Sequence, residues 1–449
     1  MTTIKKIPVA IKNSPRKIQI ISRSFPIENM QGSSAYMLDF VRYLREAGCN
    51  VEYISIEPLP DKEFPWCVIP SSLGTPASVW VPNNLRIGRV LLRFNSLLDW
   101  IAGLLRLIYR RLPQYIKKIY RAAIKKVQQR HEHQATTTDA DVQDWRLLLP
   151  TPEEIAFAQT QFNRFKPDVV VVNYVFLANI LDTLSANENI LKVILTHDVF
   201  HHRNAYLKKI GVAMSEGDWD REKESEQLRK AQVLLAIQQE DAHVFKEMAP
   251  QCEVICMPKS AICHSHTIKQ VPGRCLFVGS KGQHNYYGLQ WFLENVWSTV
   301  LQLNPNCSLH VCGNVCSSIQ GTFPNVHLLD RVDDLKPEYS AAEVCLLPLL
   351  GGSGLKIKLV EAMSYGRACV STSIGVQGLP EIVGKTAIVA DTAEDFAAAI
   401  HTLLTNPDKR QSMEEQARKY VTEKLSPKAA YQPFVDRIEE HLQQVANRL

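Results

Sequence analysis

The residues with the clearest chemical use lie in one run, Pro348-Leu349-Leu350-Gly351-Gly352-Ser353-Gly354-Leu355-Lys356-Ile357-Lys358-Leu359-Val360-Glu361-Ala362-Met363. A short apolar stretch, Val344–Leu347, leads into the glycines, and an amphipathic stretch leads out of them. A strand-to-helix turn of this composition exposes backbone N–H groups at the positive end of a helix, where an anion can sit. Glycine lets a phosphate come close because no Cβ intervenes. Lys356 and Lys358 add positive charge at the same place. Glu361 would lie about two helical turns after Ser353, on the ligand side, where a carboxylate suits a ribose diol. The same residues also fit a tight strand-to-helix turn with a surface lysine pair. The run is not the dinucleotide fingerprint, since no G-x-G-x-x-G follows the first strand of either half, and no Gly-Lys-Ser/Thr ends it as in a P-loop.

Other candidates are more isolated. Thr196-His197-Asp198 ends the apolar run Leu191–Leu195, and ligands gather at the carboxyl ends of parallel strands. A histidine there can hydrogen-bond a substrate or assist proton transfer, or it can simply be satisfied at a strand end. His201, His202 and Arg203 follow closely. Gln31-Gly32-Ser33-Ser34 follows the first strand-like run, and Ser33 or Ser34 can cap the helix that begins there. Cys252, Cys256, Cys263, His264 and His266 cluster in sequence, but no second paired motif completes a zinc site, so no metal is expected. Asp139-Ala140-Asp141 sits in a polar stretch, where solvated loop is the expectation.

The elements that must position these groups alternate along the chain. Strand-like runs are Ile18–Ile21, Val51–Ile56, Val169–Val172, Leu191–Leu195 and Val233–Ile237, then Cys275–Val278, Ser308–Cys312, Val326–Leu329, Val344–Leu347, Ala368–Val370 and Ala387–Val389. They are short and almost continuously apolar, as strands covered on both faces should be. Amphipathic stretches follow several of them: Ser33–Ala47, Tyr287–Leu303, Lys356–Tyr365 and Glu394–Leu404. This alternation implies an α/β fold of two Rossmann-like domains with parallel sheets and crossover helices. The pattern restarts near Pro272-Gly273 after a polar stretch. We therefore expect an N-terminal domain over 1–262, a C-terminal domain over 263–426 and a terminal helix over 427–449 that crosses back to the first domain.

Residues 86–134 interrupt the alternation. Arg86–Arg130 carries twelve Lys/Arg and one acid, Asp99, interleaved with Leu91, Leu92, Leu97, Leu98, Ile101, Leu104, Leu105 and Ile108. The pattern predicts a basic amphipathic helical insertion. It either packs its apolar side on the domain or lays it against an anionic membrane surface. Nucleic acid is not expected as a partner, because aromatic interleaving is sparse.

At 449 residues the chain exceeds one ordinary core, and 45% hydrophobic with 22% charged residues is ordinary for a globular enzyme. A net charge of +5 names no partner. No apolar run of signal-peptide or spanning length is present, and eleven scattered cysteines fit buried thiols in a reducing compartment. A cytoplasmic protein is expected, peripheral to the inner face of a membrane if the basic run meets lipid.

The Gly352–Glu361 run resembles the signature of the large retaining glycosyltransferase group of GT-B architecture, family 4 type. Within it, the subgroup with Gly-Ser/Thr-Gly-x-Lys/Arg-x-Lys-x-x-Glu-Ala fits best. Phe277-Val278-Gly279, Gly313, Gly366, Val370-Ser371-Thr372 and Gly375-x-x-Gly378-Leu379 extend the likeness over the C-terminal half, and the N-terminal half resembles the group more loosely. The resemblance implies two domains facing a cleft and transfer of a sugar from a nucleoside-diphosphate donor, without metal or cofactor. The donor would be UDP-, GDP- or ADP-linked, and the acceptor a glycan, lipid or small-molecule hydroxyl. It implies that backbone amides of Ser353, Gly354 and Leu355, with Gly352 and Lys356 in the same turn and Lys358 beside it, hold the diphosphate. Glu361 would bind the ribose, and the Arg331-Val332 loop would meet the base through its main chain. Lys281 stands near a basic phosphate ligand of the group, with His284 close by, where several members pair an Arg with a Lys. Gly32 and Ser33 match its glycine-rich cleft loop, and His197 its cleft histidine. Many members carry Glu-x7-Glu with the first Glu facing the sugar. Here that position is Ser353, which implies a different donor contact in catalysis, or a GT-B protein that binds a nucleotide-sugar or assists a partner transferase without turnover. An epimerase of the same architecture would need cleft carboxylates for elimination, and none is evident.

Overall fold

The computed structural model describes residues 15–23, 25–26, 33–57, 66–93, 100–101, 145–184, 187–209, 218–265, 268–351 and 354–448. Gly32, Gly352, Ser353, His266, Asp139, Asp141 and most of 86–134 lie outside them.

The first elements are β1 (Lys17–Ser22), α1 (Ser33–Glu46), β2 (Asn50–Ser55), β3 (Trp66–Val68), β4 (Val79–Trp80), β5 (Asn84–Ile87) and β6 (Val90–Arg93). Next come α2 (Pro152–Phe165), β7 (Val169–Asn173), β8 (Leu191–Leu195), α3 (Phe200–Lys209), α4 (Arg221–Leu228), β9 (Val233–Ala236), α5 (Gln239–Met248) and β10 (Glu253–Cys256). The rest are β11 (Arg274–Val278), α6 (Gln283–Asn295), α7 (Trp297–Leu303), β12 (Ser308–Cys312), β13 (Val326–Leu328), α8 (Lys336–Ala341), β14 (Val344–Leu347) and α9 (Ile357–Ser364). They end with β15 (Ala368–Ser371), β16 (Ala387–Val389), α10 (Ala393–Thr405), α11 (Pro407–Tyr420) and α12 (Pro427–Arg448).

Three sheets result. One has seven strands in the order β10-β9-β8-β7-β1-β2-β4, and one has six in the order β13-β12-β11-β14-β15-β16. The recorded registers within both are parallel. The third, β3-β6-β5, is antiparallel. Two compact units form, residues 1–194 with 204–231 and residues 195–203 with 232–449. The expected boundary at 262/263 therefore falls inside the second unit. Within that unit Arg437 Nε of α12 donates to Glu253 Oε2 of β10 at 2.6 Å, and the Ser260 N–H donates to the Tyr431 hydroxyl at 3.4 Å.

Continuous apolar runs become fully buried strands here because helices cover both faces of each parallel sheet. Every residue of β7, β9 and β14 is buried. On one face of the six-stranded sheet Phe277, Phe292, Trp297 and Phe396 pack together, and Phe292 meets Phe396 edge to face at 5.6 Å. On the other face Leu276, Tyr339, Leu359, Val360 and Met363 form a second core. The expected helix Tyr287–Leu303 is two helices, α6 and α7, broken at Val296. The expected helix at the start of the basic insertion is corrected: Asn84–Ile87 and Val90–Arg93 form a hairpin, because Leu85, Ile87, Val90 and Leu92 alternate with polar or inward residues at the period of a strand. All eleven cysteines are free. Burial keeps most of their thiols protonated: Cys312 and Cys369 are each pushed up to about 12, and Cys275 and Cys345 also rise.

The fold presents the glycine-rich turn by close packing. A methyl group on Gly288 of α6 would come within 2.2 Å of the Pro348 carbonyl, which follows β14. Gly288→Ala must therefore push the helix off the turn. It should destabilise the protein by roughly 1–3 kcal/mol, read as a lower urea midpoint with an unchanged denaturant slope.

Candidate functional site

β14 lies between β11 and β15 in its sheet, so its carboxyl end opens at the middle of the sheet's edge. The turn that follows is braced from the side: Thr372 Oγ1 donates to Leu349 O at 2.6 Å and the Thr372 N–H to Leu347 O at 3.2 Å. Gly354 has φ +73°, a left-handed conformation that favours glycine, and a Cβ there would touch the His197 carbonyl at 3.4 Å. Leu355 is buried among apolar neighbours. Lys356 is only 8% exposed and turns back on the loop, donating from Nζ to Gly354 O at 2.9 Å and Gln377 Oε1 at 3.4 Å.

The amide accounting is informative. No side chain caps α9. The Leu359 and Val360 N–H groups both donate to Lys356 O, at 2.9 and 3.3 Å. Those of Gly354, Leu355, Ile357 and Lys358 meet no acceptor among the described residues. Backbone donors are normally paired, and N–H groups left open at and just before a helix start are of the kind that can donate to an anion.

Lys358 sits beside them. Its Nζ donates to Asn285 Oδ1 and lies 5.0 Å from the Phe277 ring centroid. Asn285 is itself buried and donates to Ser280 O at 3.1 Å and Ser280 Oγ at 3.0 Å. Burial first, then the neighbouring Lys356, pull the Lys358 ammonium down to about 7, and burial pulls Lys356 down to about 8. Glu361, in the second turn of α9, has its carboxyl pushed up by burial, against the hydrogen bond from Tyr339 and the charges of Lys259 and Lys358. The Tyr339 hydroxyl donates to Glu361 Oε2 at 3.0 Å, and its ring stacks on Tyr365 at 4.7 Å, which stacks on His264 at 4.2 Å.

The sequence-selected residues are distributed as follows. Gly354, Leu355, Lys356, Lys358 and Glu361 come together around the start of α9. α9 begins at Ile357 and Gly354–Lys356 before it are not helical, while Ser353, expected on the helix's ligand side, lies outside the described residues. His197 follows β8, and burial pulls its imidazole down to about 3, so it is neutral at any working pH. Asp198 pairs with Arg203 at 3.2 Å. Lys281 is exposed in the β11–α6 loop. His284, one turn on, is pulled down to about 4 by burial and then by Lys358 and Lys356. Arg331 is exposed and Val332 packs on the second core beyond β13. Ser33 opens α1. Asn285 and Tyr339 were missed: a lone Asn or Tyr carries no spacing signal, and only the fold brings them to Lys358 and Glu361. Among the described residues no cluster of His, Cys, Asp or Glu is placed to hold a metal.

Residues 272–406, which contain this site, match the family described as Glycosyl transferases group 1. The whole chain shares its fold with solved GT-B structures at low identity. These include sucrose-phosphate synthase from Thermosynechococcus elongatus (TM-score 0.60, 14% identity, 95% of this chain and 98% of that one). A glycosyltransferase from Rickettsia africae is similar (TM-score 0.59, 12%, 96% and 99%). So is Anabaena HepE, solved with UDP and glucose (TM-score 0.56, 12%, 94% and 99%). A Klebsiella pneumoniae protein named as an uncharacterized 44.6 kDa protein in the cps region is 27% identical over 168 residues, 35% of this chain and 43% of that protein. The match thus spans less than half the length of that relative.

The buried lysines set a pH signature. The folded-state value of Lys358 lies below its unfolded value of 10.5, so between about pH 7 and 10 the unfolded chain binds more protons and stability should rise with pH. In Lys358→Met that rise should be smaller, as read by urea unfolding at a series of pH values. An unchanged slope would show that Lys358 is not desolvated.

Proposed function

We propose that the protein is a glycosyltransferase that moves a sugar from a nucleoside diphosphate to an acceptor hydroxyl, with retention at the anomeric carbon. The observation that carries this reading is the group of amides at Gly354, Leu355, Ile357 and Lys358 that meet no acceptor among the described residues, in the same turn as the buried Lys358. Bond cleavage builds negative charge on the departing diphosphate. Preorganised amides and one ammonium stabilise that charge without reorganising. Glu361 keeps Oε1 for a ribose hydroxyl while Tyr339 occupies Oε2. In this reading Gly352 completes the turn, Lys281 approaches the phosphates, Arg331 and Val332 border the base, and Gly32 and Ser33 contribute to the donor side. Ser353 takes the sugar contact that a glutamate makes in many relatives. Neutral His197 offers a hydrogen bond to the sugar rather than a charge. The leaving phosphate accepts the proton of the acceptor hydroxyl, so no separate base is required. The likeness in fold to a structure holding UDP and glucose supports a uridine donor over the GDP- and ADP-linked alternatives. The acceptor is a glycan, lipid-linked or small-molecule hydroxyl.

Ser353 in place of glutamate favours one second reading, a protein that binds the donor without transferring it. Slow donor hydrolysis in the absence of acceptor distinguishes the two, because a non-catalytic binder shows none.

The first test is a thermal-shift screen against UDP-, GDP- and ADP-sugars, in which the true donor raises the melting temperature. Glu361→Ala should weaken that donor about tenfold or more, the range expected when one charged hydrogen bond to a ligand is lost. Wild-type donor affinity in this variant would remove the site. Donor binding should also take up a proton, since an anion beside Lys358 raises its pKa from about 7. Affinity should therefore fall as pH rises above neutrality. Calorimetry in buffers of different ionisation heat reads the uptake, and its absence would exclude Lys358 as a phosphate ligand.

A further inference from the structure

The two charged side chains of α9 are each held by a neutral partner. The Lys358 ammonium donates to the carboxamide oxygen Asn285 Oδ1, and Glu361 Oε2 accepts from the Tyr339 hydroxyl at 3.0 Å. Lys358 and Glu361 stand three residues apart on the helix, a spacing at which opposite charges can pair. Among the described residues neither enters an ion pair. Each group is fixed without being neutralised.

The donors of Asn285 fix its orientation. Asn285 is 2% exposed, in the first turn of α6, and its Nδ2 donates to Ser280 O at 3.1 Å and to Ser280 Oγ at 3.0 Å. A carboxamide has its two donors on one side and its acceptor on the other, and an ammonium can only donate. With the NH2 group committed to Ser280, the oxygen is what remains for Lys358. A carboxylate of the same shape would make a buried ion pair there, and the lysine's charge would be cancelled before any ligand arrived.

The other titratable groups near Lys358 supply little counter-charge. Lys356 is a like charge, and His284 of α6 is pulled down to about 4 and is neutral. Tyr339 and Cys345, which border a small cavity together with Lys358, are kept protonated by burial. Glu361 alone favours the ammonium, and burial outweighs it, since Lys358 is pulled down to about 7.

We propose that Asn285 is a positioning residue that sets the charge of the anion site: its neutral oxygen fixes the Lys358 ammonium and leaves the positive charge to be answered by a diphosphate. The inference rests on the reading of the turn as a diphosphate site. Asn285 acts through Lys358 and need not touch the ligand. An anion that enters draws a proton from solvent onto the fraction of Lys358 that is neutral.

The test uses the full-length protein with inorganic pyrophosphate as probe, followed by calorimetry between about pH 6 and 8, on either side of the Lys358 titration. Wild-type affinity should fall as pH rises, with proton uptake. Asn285→Asp keeps Lys358 protonated and cancels its charge. Affinity at about pH 6 should drop about tenfold or more, the fall with pH should vanish, and no proton should be taken up. Asn285→Ala removes the acceptor and pulls Lys358 lower, so affinity should begin to fall at a lower pH and return toward wild type on acidification. The two variants differ in sign, and each is decisive alone if the other fails to fold. A role in packing would weaken binding by one factor at every pH, and that result would overturn the proposal, as would wild-type behaviour in both variants. The expected pattern without sugar transfer would remove the transferase reading and leave this inference standing. Sugar transfer by wild type, with variants whose pH dependence matches it, would do the reverse.

Discussion

The molecule's chemistry turns on one uncomfortable arrangement: a lysine ammonium, Lys358, held in largely apolar surroundings between Phe277 and the start of α9. Desolvation of a charge is costly, and among the described residues one amide oxygen, Asn285 Oδ1, answers it. The adjoining amides of Gly354, Leu355 and Ile357 point the same way electrostatically, because they too are donors that meet no acceptor among the described residues. All of these groups ask for negative charge. An arrangement that is expensive when empty becomes favourable when an anion enters, which is the behaviour of a preorganised site rather than of a structural ion pair.

Much of the surrounding architecture can be understood as supporting that arrangement. Thr372 braces the turn, Gly288 lets α6 approach it, and Lys356 closes the loop on itself through Gly354 O. Lys356 and Lys358 have similar sequence surroundings but different contacts: one donates to the backbone of its own loop, the other to Asn285 over the Phe277 ring. Asn285 links the β11–α6 loop to Lys358, so the loop carrying Lys281 and His284 is coupled to the centre of the site by one side chain. Tyr339 does for Glu361 what Asn285 does for Lys358, fixing one oxygen and leaving the other.

The parallel strands were legible because burial on both faces leaves uninterrupted apolar runs; Val169–Val172 and Val344–Leu347 fall inside the strands observed. The glycine-rich turn was legible from composition alone. Helix starts were less so: α9 begins four residues after Ser353, since Gly354 at positive φ cannot continue a helix. The hairpin Asn84–Arg93 was misread because its leucines and arginines also fit a helical stripe. Gly88 at φ +57°, between Ile87 and Val90, decides the matter in favour of a two-residue turn. Asn285 and Tyr339 could not be found, since their importance lies in partners 73 and 22 residues away.

The cysteines carry a last consequence. Oxidants and electrophiles attack thiolate, and a thiol whose titration lies far above neutrality offers almost none. Cys345 and Cys369 sit opposite each other on neighbouring strands of the six-stranded sheet, Cys275 lies on β11 with the core of the other face, and all three are buried and protonated. The core is thereby chemically quiet despite its sulfur content. These sulfur atoms serve as small apolar fillers.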